Sequence, residues 1–471
     1  MAVIKRSILK DKYFTMKELF TVLSLFVVIV AQSQVVTSNV SLQEAFRLAK
    51  SSDKIVLLMI ESSECNQCNE VAKQGFTNVD LARMINNSCI TLKIYQGSEN
   101  YTLADSLYSI GSSMGLLFLD ADGNILTRYR ATTSQSSMYV DLLNKALAKK
   151  EKPDNLLREL QSDYNSGKKD FDLLYKLVRK KNELELEHDQ LTEEMLDMVP
   201  KDSANSLTFL QFLSEQSPVI NSKADVYLRK DQRNFNDAWY LMSLQKRSTI
   251  NNRIIIKSRN KAIKEKNLAY AEQVANFTAA TNTDRVQARK GHDKNMIEYF
   301  KAVGDTVNFL SASVRYYDLY LMSINVDSLK RADSLRLRDM LAAATPVTIP
   351  SDRQATPNGT AFTRSSVQYA PIMQGYTNEL NDGAWTIYTH THDPVYTAKA
   401  LDWAKRAYEF YPNPGAMDTY ARLLYRTGSK EEAIAMEEKV IQISKMRRMT
   451  TVDFEEVLKK MKLGTVSIDK Y

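Results

Sequence analysis

The chain carries two hydrophobic patterns, and they divide it. In the first third, short apolar runs alternate with helical spacing. Ile55-Val56-Leu57-Leu58-Met59-Ile60 is uninterrupted and reads as a strand buried on both faces. Cys89 to Tyr95 alternates Ile, Leu and Ile with polar residues, the period of a second strand. Leu116–Leu119 and Ile125–Tyr129 flank Ala121-Asp122-Gly123, which predicts a hairpin. Between these runs Leu42, Ala45, Phe46 and Ala49 recur at helical spacing, as do the residues after Cys68, 80–86, 104–108 and 138–149. Helices between buried strands, then a hairpin and a closing helix, predict a compact α/β sheet over residues 35–150.

After Lys149-Lys150-Glu151-Lys152-Pro153, a charged linker with a proline, the strand signals stop. Residues 171–178, 207–212, 237–241, 262–277 and 307–322 instead place apolar or aromatic residues three and four apart, one amphipathic helix after another. Few glycines and prolines interrupt them, so an all-helical domain is expected over 151–344. Residues 345–376 hold three prolines by Pro357 and a Thr/Ser-rich tract, and read as a loop. From 377 to 471 a repeat shows: Ala400-Leu401-Asp402-Trp403-Ala404-Lys405-Arg406-Ala407 aligns with Ala433–Val440 at an offset of 33 residues. Pro412 ends one unit and Gly428 permits the turn inside the next. Tyr316-Tyr317-Asp318-Leu319-Tyr320 has the spacing of a buried helix face.

The N-terminal 34 residues change the picture of compartment. Leu19 to Val30 is uncharged and apolar, preceded by Lys17 and followed by Ala31-Gln32-Ser33-Gln34, the layout of a cleaved export signal. The run is short for a bilayer span, although an uncleaved anchor is the alternative. Met16 would begin a more ordinary signal. The expected location is the periplasm or another exported site in a Gram-negative envelope. Residues 1–34 hold five Lys/Arg and two Asp/Glu, so removing them lowers the formal +7 to +4. That dispersed excess gives no case for nucleic acid.

Chemistry concentrates at Cys65 and Cys68, which follow the first strand and open a helix. A helix N-terminus offers unpaired N–H groups and the positive end of its dipole, both of which favour a thiolate. Two intervening residues set the sulfurs about one turn apart, close enough for one to resolve a mixed disulfide formed on the other. A purely structural disulfide is the plainer alternative. A zinc half-site is a third, but zinc needs four ligands, and beyond Cys89 the chain offers only His188, His292, His390 and His392, far downstream. Cys89 itself, with Phe76 and Met84, reads as core. His390-Thr391-His392-Asp393 reads as a polar loop, and no metal site is expected. No phosphate loop or HExxH motif occurs.

The strand, CxxC and helix, the Leu116–Asp120 strand with its Asp-Gly turn, and the terminal helix together resemble the thioredoxin family, in particular exported bacterial thioredoxin-like domains with a variable CxxC. The resemblance covers about residues 36–150. It implies a thioredoxin fold, Cys65 as the exposed attacking thiol, Cys68 as the more buried resolving thiol, and no organic cofactor. Three positions depart from the family: Glu64 replaces a tryptophan, Met59 stands where many relatives bury an acid, and Met114 replaces the proline that faces the disulfide. Glu64 opposes a Cys65 thiolate by like-charge repulsion, and these departures imply slow or narrow-specificity exchange. The C-terminal repeat resembles tetratricopeptide repeats. The expected fold is therefore an α/β thioredoxin-like domain followed by an all-α, TPR-like region. The expected function is exported thiol–disulfide exchange with a protein substrate or redox partner, the helical region docking a peptide or protein. The competing reading is a non-catalytic helical scaffold carrying a structural thioredoxin-like module.

Overall fold

The computed structural model describes residues 34–62, 66–111, 114–152, 154–343, 371–447 and 449–465. The expected export segment, Glu64 and Cys65 therefore lie outside the described residues, as does nearly all of the expected loop at 345–376. Among the described residues no helix is long and apolar enough to cross a membrane. The architecture is an N-terminal α/β domain built on a four-stranded sheet, followed by a largely helical region.

The sheet is ordered β2-β1-β3-β4, with β1 Ile55–Glu61, β2 Cys89–Tyr95, β3 Gly115–Leu119 and β4 Ile125–Tyr129. β1 runs parallel to β2 and antiparallel to β3, and β3 pairs antiparallel with β4. The parallel pair needs a crossover, supplied by α2 (Asn66–Gly75) and α3 (Val79–Ser88). Alternation sorts the side chains of the central strands onto two faces. Val56, Leu58, Ile60, Leu117 and Leu119 join a cluster under α1 (Leu42–Ser51) and α4 (Glu99–Tyr108). Ile55, Leu57, Leu116 and Phe118 face the opposite cluster with α3 and α5 (Ser136–Glu151), which also takes Cys89 and Phe76. Both faces are covered, so β1 needs apolar residues at successive positions. The β3–β4 turn is fastened by Asp120, whose carboxylate accepts from Asp122 N (2.9 Å), Asn124 N (2.8 Å) and Asn124 Nδ2 (2.7 Å). Gly123, at φ +85°, supplies the left-handed residue this turn requires.

The chain forms two compact units. The first continues from the sheet domain into α6 (Leu156–Asn165), α7 (Phe171–Glu183), α8 (Asp189–Leu196), α9 (Leu207–Glu215), α10 (Lys223–Arg229) and α11 (Gln232–Tyr240). Phe209, Phe212, Leu213, Leu174 and Met195 form its helical core.

The second unit comprises residues 219–222 and the chain from 242 onward. Ile220 joins it through its N–H on Ser258 Oγ (3.0 Å) and its carbonyl under Tyr270 OH (2.6 Å). Its helices are α12 (Leu244–Glu265), α13 (Leu268–Ala280), α14 (Arg285–Val303), α15 (Thr306–Tyr317), α16 (Val326–Ala343), α17 (Ile372–His390), α18 (Pro394–Phe410), α19 (Pro414–Arg426), α20 (Lys430–Met446) and α21 (Val452–Leu463). Buried Ala384, Ala400, Ala404, Ala407, Ala421 and Ala433 let successive C-terminal helices approach closely. α17 begins inside the stretch expected as loop, because Asp333 caps it from α16: the carboxylate accepts from Ile372 N (2.7 Å) and Met373 N (2.9 Å). The tyrosine-rich face is buried at Tyr316, but the chain winds into a π-helix over Asp318–Met322 rather than continuing α15. Asp318 accepts there from Trp403 Nε1 (3.0 Å) and Lys399 Nζ (2.7 Å). A Cβ at Gly383 would lie 2.3 Å from the Tyr317 ring, so only glycine admits that ring against α17.

Candidate functional site

The dithiol motif falls where β1 ends and α2 begins. β1 closes at Glu61, which pairs with Lys93 across the edge of β2 at 2.6 Å. Ser62 and Asn69 then form a two-bond clamp: Ser62 N donates to Asn69 Oδ1 (3.0 Å), and Asn69 Nδ2 donates to Ser62 O (2.8 Å). A side-chain amide matches both polar groups of one backbone residue, so this clamp closes the loop that carries the motif. Neither bond passes through sulfur.

Cys68 lies in the first turn of α2 and is half-buried and disulfide-bonded. That turn contains no acidic residue, leaving the positive end of the helix dipole available to a Cys68 thiolate. The far end of α2 is held tightly. A Cβ on Gly75 would meet the Tyr139 ring at 2.4 Å and Thr133 O at 2.5 Å. Phe76 stacks on Tyr139 with centroids 4.3 Å apart, Thr133 N donates to the Tyr139 hydroxyl (3.1 Å), and Ser136 Oγ donates to Gly75 O (2.7 Å). The helix bearing Cys68 is therefore fixed at both ends, by polar bonds at its start and by packing at its finish.

Strand register brings Met114 next to the end of β1. Ile60 pairs with Gly115, the first residue of β3. Met114 sits at that junction, half-buried, and Met59 lies in β1 opposite Leu116. No cis peptide bond occurs among the described residues, and Ser113, which precedes Met114, lies outside them. Gly111 is tied down on both sides: its N–H donates to Asp105 Oδ1 (2.7 Å), and its carbonyl accepts from the Tyr101 hydroxyl. Sequence reading missed this anchoring, because no local pattern links Asp105 to Gly111.

Cys89 is free and 5% exposed at the start of β2. Burial pushes its thiol up to about 12, which leaves it protonated and inert at neutral pH. The remaining histidines of the sequence reading do not gather. His390 ends α17 with Nδ1 on Thr386 O (2.8 Å), His292 lies against Asp293 and Glu272, and His188 Nδ1 meets Leu186 O (2.7 Å). Among the described residues no three His, Cys, Asp or Glu side chains converge as a metal cage.

No curated protein matches the chain. A model of the family described as Thioredox_DsbH, protein of unknown function, DUF255, does match residues 17–111, so the stretch running through β1, α2, β2 and α4 is similar to that thioredoxin-like family.

Proposed function

We propose that the protein is an exported thiol–disulfide oxidoreductase acting through Cys65 and Cys68. The observation that carries this reading is a disulfide-bonded Cys68 in the first turn of a helix that directly follows the central strand, with no acid in that turn. The chain has three cysteines and Cys89 is free, which supports Cys65 as the sulfur partner. In the exchange, the Cys65 thiolate attacks a substrate disulfide and forms a mixed disulfide, releasing one substrate thiolate. Cys68 then displaces the second substrate sulfur, closing the Cys65–Cys68 bond and leaving the substrate reduced. The reverse sequence oxidises a substrate dithiol. No organic cofactor enters, only a redox partner that resets the pair. Export through residues 1–34 to an oxidising envelope fits such a role, and the TPR-like helices α17–α21 are read as the surface that docks a peptide or protein.

A scaffold reading, in which the thioredoxin-like module is structural, draws on the extent of the helical region. Trapping separates the two. In the full chain, Cys68→Ser should accumulate mixed disulfides through Cys65 that dissolve on reduction, and Cys65→Ser should not. An empty trap, with a Cys65–Cys68 bridge that mild reductant cannot open, would overturn the oxidoreductase reading.

A further inference from the structure

Counted by element, the charge of the chain is not dispersed. Residues 35–471 carry a formal +4, whereas α12 alone holds seven Lys/Arg against the single acid Glu265, a net +6, so the rest of that stretch is −2. One helix of the second unit thus carries the whole positive excess.

These cations are placed against the stability of the helix that bears them. Lys246 and Arg247 lie at its N-terminal end, where the first turn holds no acid and the positive end of the dipole disfavours cations. Arg253, Lys257, Lys261 and Lys264 follow at spacings of four, four and three, so each stands beside the next, and like charges so spaced repel. Lys266 closes the helix at φ +48°, a left-handed position that glycine usually fills, and keeps a long cationic side chain there. The other side of α12, with Ile250, Ile254, Ile255, Ser258 and Ala262, is buried and fixes the helix in its unit. Packing therefore accounts for that side alone. Lys261, Lys264 and Lys266 are exposed, and among the described residues they form no ion pair.

The apolar residues beside the cations narrow the choice of anion. From Lys246 to Lys264 the ladder runs about 27 Å along the helix. Ile256, three residues after Arg253 and one before Lys257, is 49% exposed, and Leu268, two residues after Lys266, is exposed to the same extent. Cations interleaved with exposed aliphatic side chains suit a charged bilayer, where phosphates meet the cations and apolar tips enter the acyl boundary. Duplex nucleic acid would neutralise the cations but offer Ile256 and Leu268 no apolar layer. Under the export proposed above, the apolar Leu19–Val30 segment brings the chain to a membrane.

We propose that the outward side of α12 is a docking surface for an anionic phospholipid bilayer, with Lys261, Lys264 and Lys266 on the headgroup phosphates and Ile256 at the acyl boundary. Docking of this kind is independent of the dithiol chemistry.

The test measures, by co-sedimentation, partition of the full-length protein onto vesicles of phosphatidylcholine alone and onto an equal mixture of phosphatidylcholine and phosphatidylglycerol. Affinity for the neutral vesicles reads the N-terminal apolar segment, and the ratio of the two affinities reads α12. Wild type should favour the charged vesicles about tenfold at low salt, a preference that fades as salt is raised. Lys261→Glu/Lys264→Glu gives Lys257 an opposite charge four residues on, so the helix is not weakened, and it should abolish the preference. Lys176→Glu/Lys230→Glu makes the same change in net charge at exposed positions of the first unit and should keep it. Ile256→Ser should lower affinity for the charged vesicles about threefold. Equal loss in the two double variants would overturn the docking surface, because the preference would then follow net charge alone. Equal affinity of the wild type for both vesicles would overturn it as well, and retention on immobilised polyglutamate in that case would assign the helix to an acidic protein instead.

Discussion

The sheet domain and the second unit handle buried polarity in opposite ways. In the sheet domain the core is apolar and the polar groups work at strand and helix ends, as at Asp120, Asn69 and Arg130. The second unit buries charge between its helices. Glu437 on α20 is 0% exposed, and neither of its carboxyl oxygens accepts a hydrogen bond. Burial, reinforced by the nearby Asp418 charge, pushes its pKa up to about 9. Asp418 pairs with Arg422 at 2.9 Å, and the Arg422 guanidinium lies 5.5 Å from the Trp385 ring. Glu379 is a second case, accepting from Lys290 (2.9 Å) and from Tyr316. Burial raises that carboxyl, and the two hydrogen bonds together with the Lys290 and Lys294 charges outweigh it, so the net shift is downward. The sheet domain is therefore specified by shape, and the second unit also by protonation state.

The largest way to break this contrast is Tyr139→Ala, which removes the ring on which Phe76 and Gly75 rest. It should cost about 3–5 kcal/mol, read as loss of protection in the first unit by hydrogen exchange, with no dependence on pH. Arg422→Met leaves the half-buried Asp418 without its partner and should cost the second unit about 3–5 kcal/mol, measured by denaturant titration.

Glu437 gives the sharpest contrast in pH. The folded state keeps a proton that the unfolded chain releases near its ordinary carboxyl pKa of 4.5. The unfolded state thus binds fewer protons as pH rises from there, and stability of the second unit falls, by at most about 1.4 kcal/mol per unit, until the folded group itself ionises near pH 9. Glu437→Gln should flatten that slope and stabilise the unit at pH 8. A slope unchanged by the substitution would assign the pH dependence elsewhere.

Gly75→Ala should cost about 1–3 kcal/mol by forcing Tyr139 off α2. Asp333→Ala, which uncaps α17, should cost about 1–2 kcal/mol. Smallest in energy is a reactivity test at Cys89: with the disulfide reduced, alkylation should leave Cys89 unmodified until the sheet domain unfolds. Rapid modification of a third thiol in the folded protein would contradict its burial.

Much of the sheet domain was legible because its rules are local. An unbroken Ile55–Ile60 run, the alternation after Cys89 and the Asp122-Gly123 turn each announce an element within a few residues. The position of Cys68 at a helix start followed from the same pattern. The Asn69 clamp and the Arg130–Glu185 ion pair (2.7 Å) were not legible: the first joins polar groups seven residues apart across a strand–helix junction, and the second joins residues 55 apart in the chain, neither of which a hydrophobic pattern marks. The π-helix at Asp318 was hidden for a related reason: its aromatic spacing suits an α-helix, and Trp403 and Lys399, 85 and 81 residues on, hold Asp318. Glu437 occupies a helical core position where the spacing asks for an apolar residue, so the pattern gave no sign that an acid would be buried there.

The Asn69 amide bears on the proposed exchange. Because its two bonds to Ser62 bypass sulfur, opening the disulfide leaves the ends of the motif loop fastened, and the thiol freed at Cys68 stays at the head of an anchored helix. In the proposed exchange, such a tether would keep the local thiol concentration high and limit the rearrangement that accompanies each electron pair. Ring closure is then favoured over capture by a second molecule, and loss of that one amide should shift the balance toward lingering mixed species.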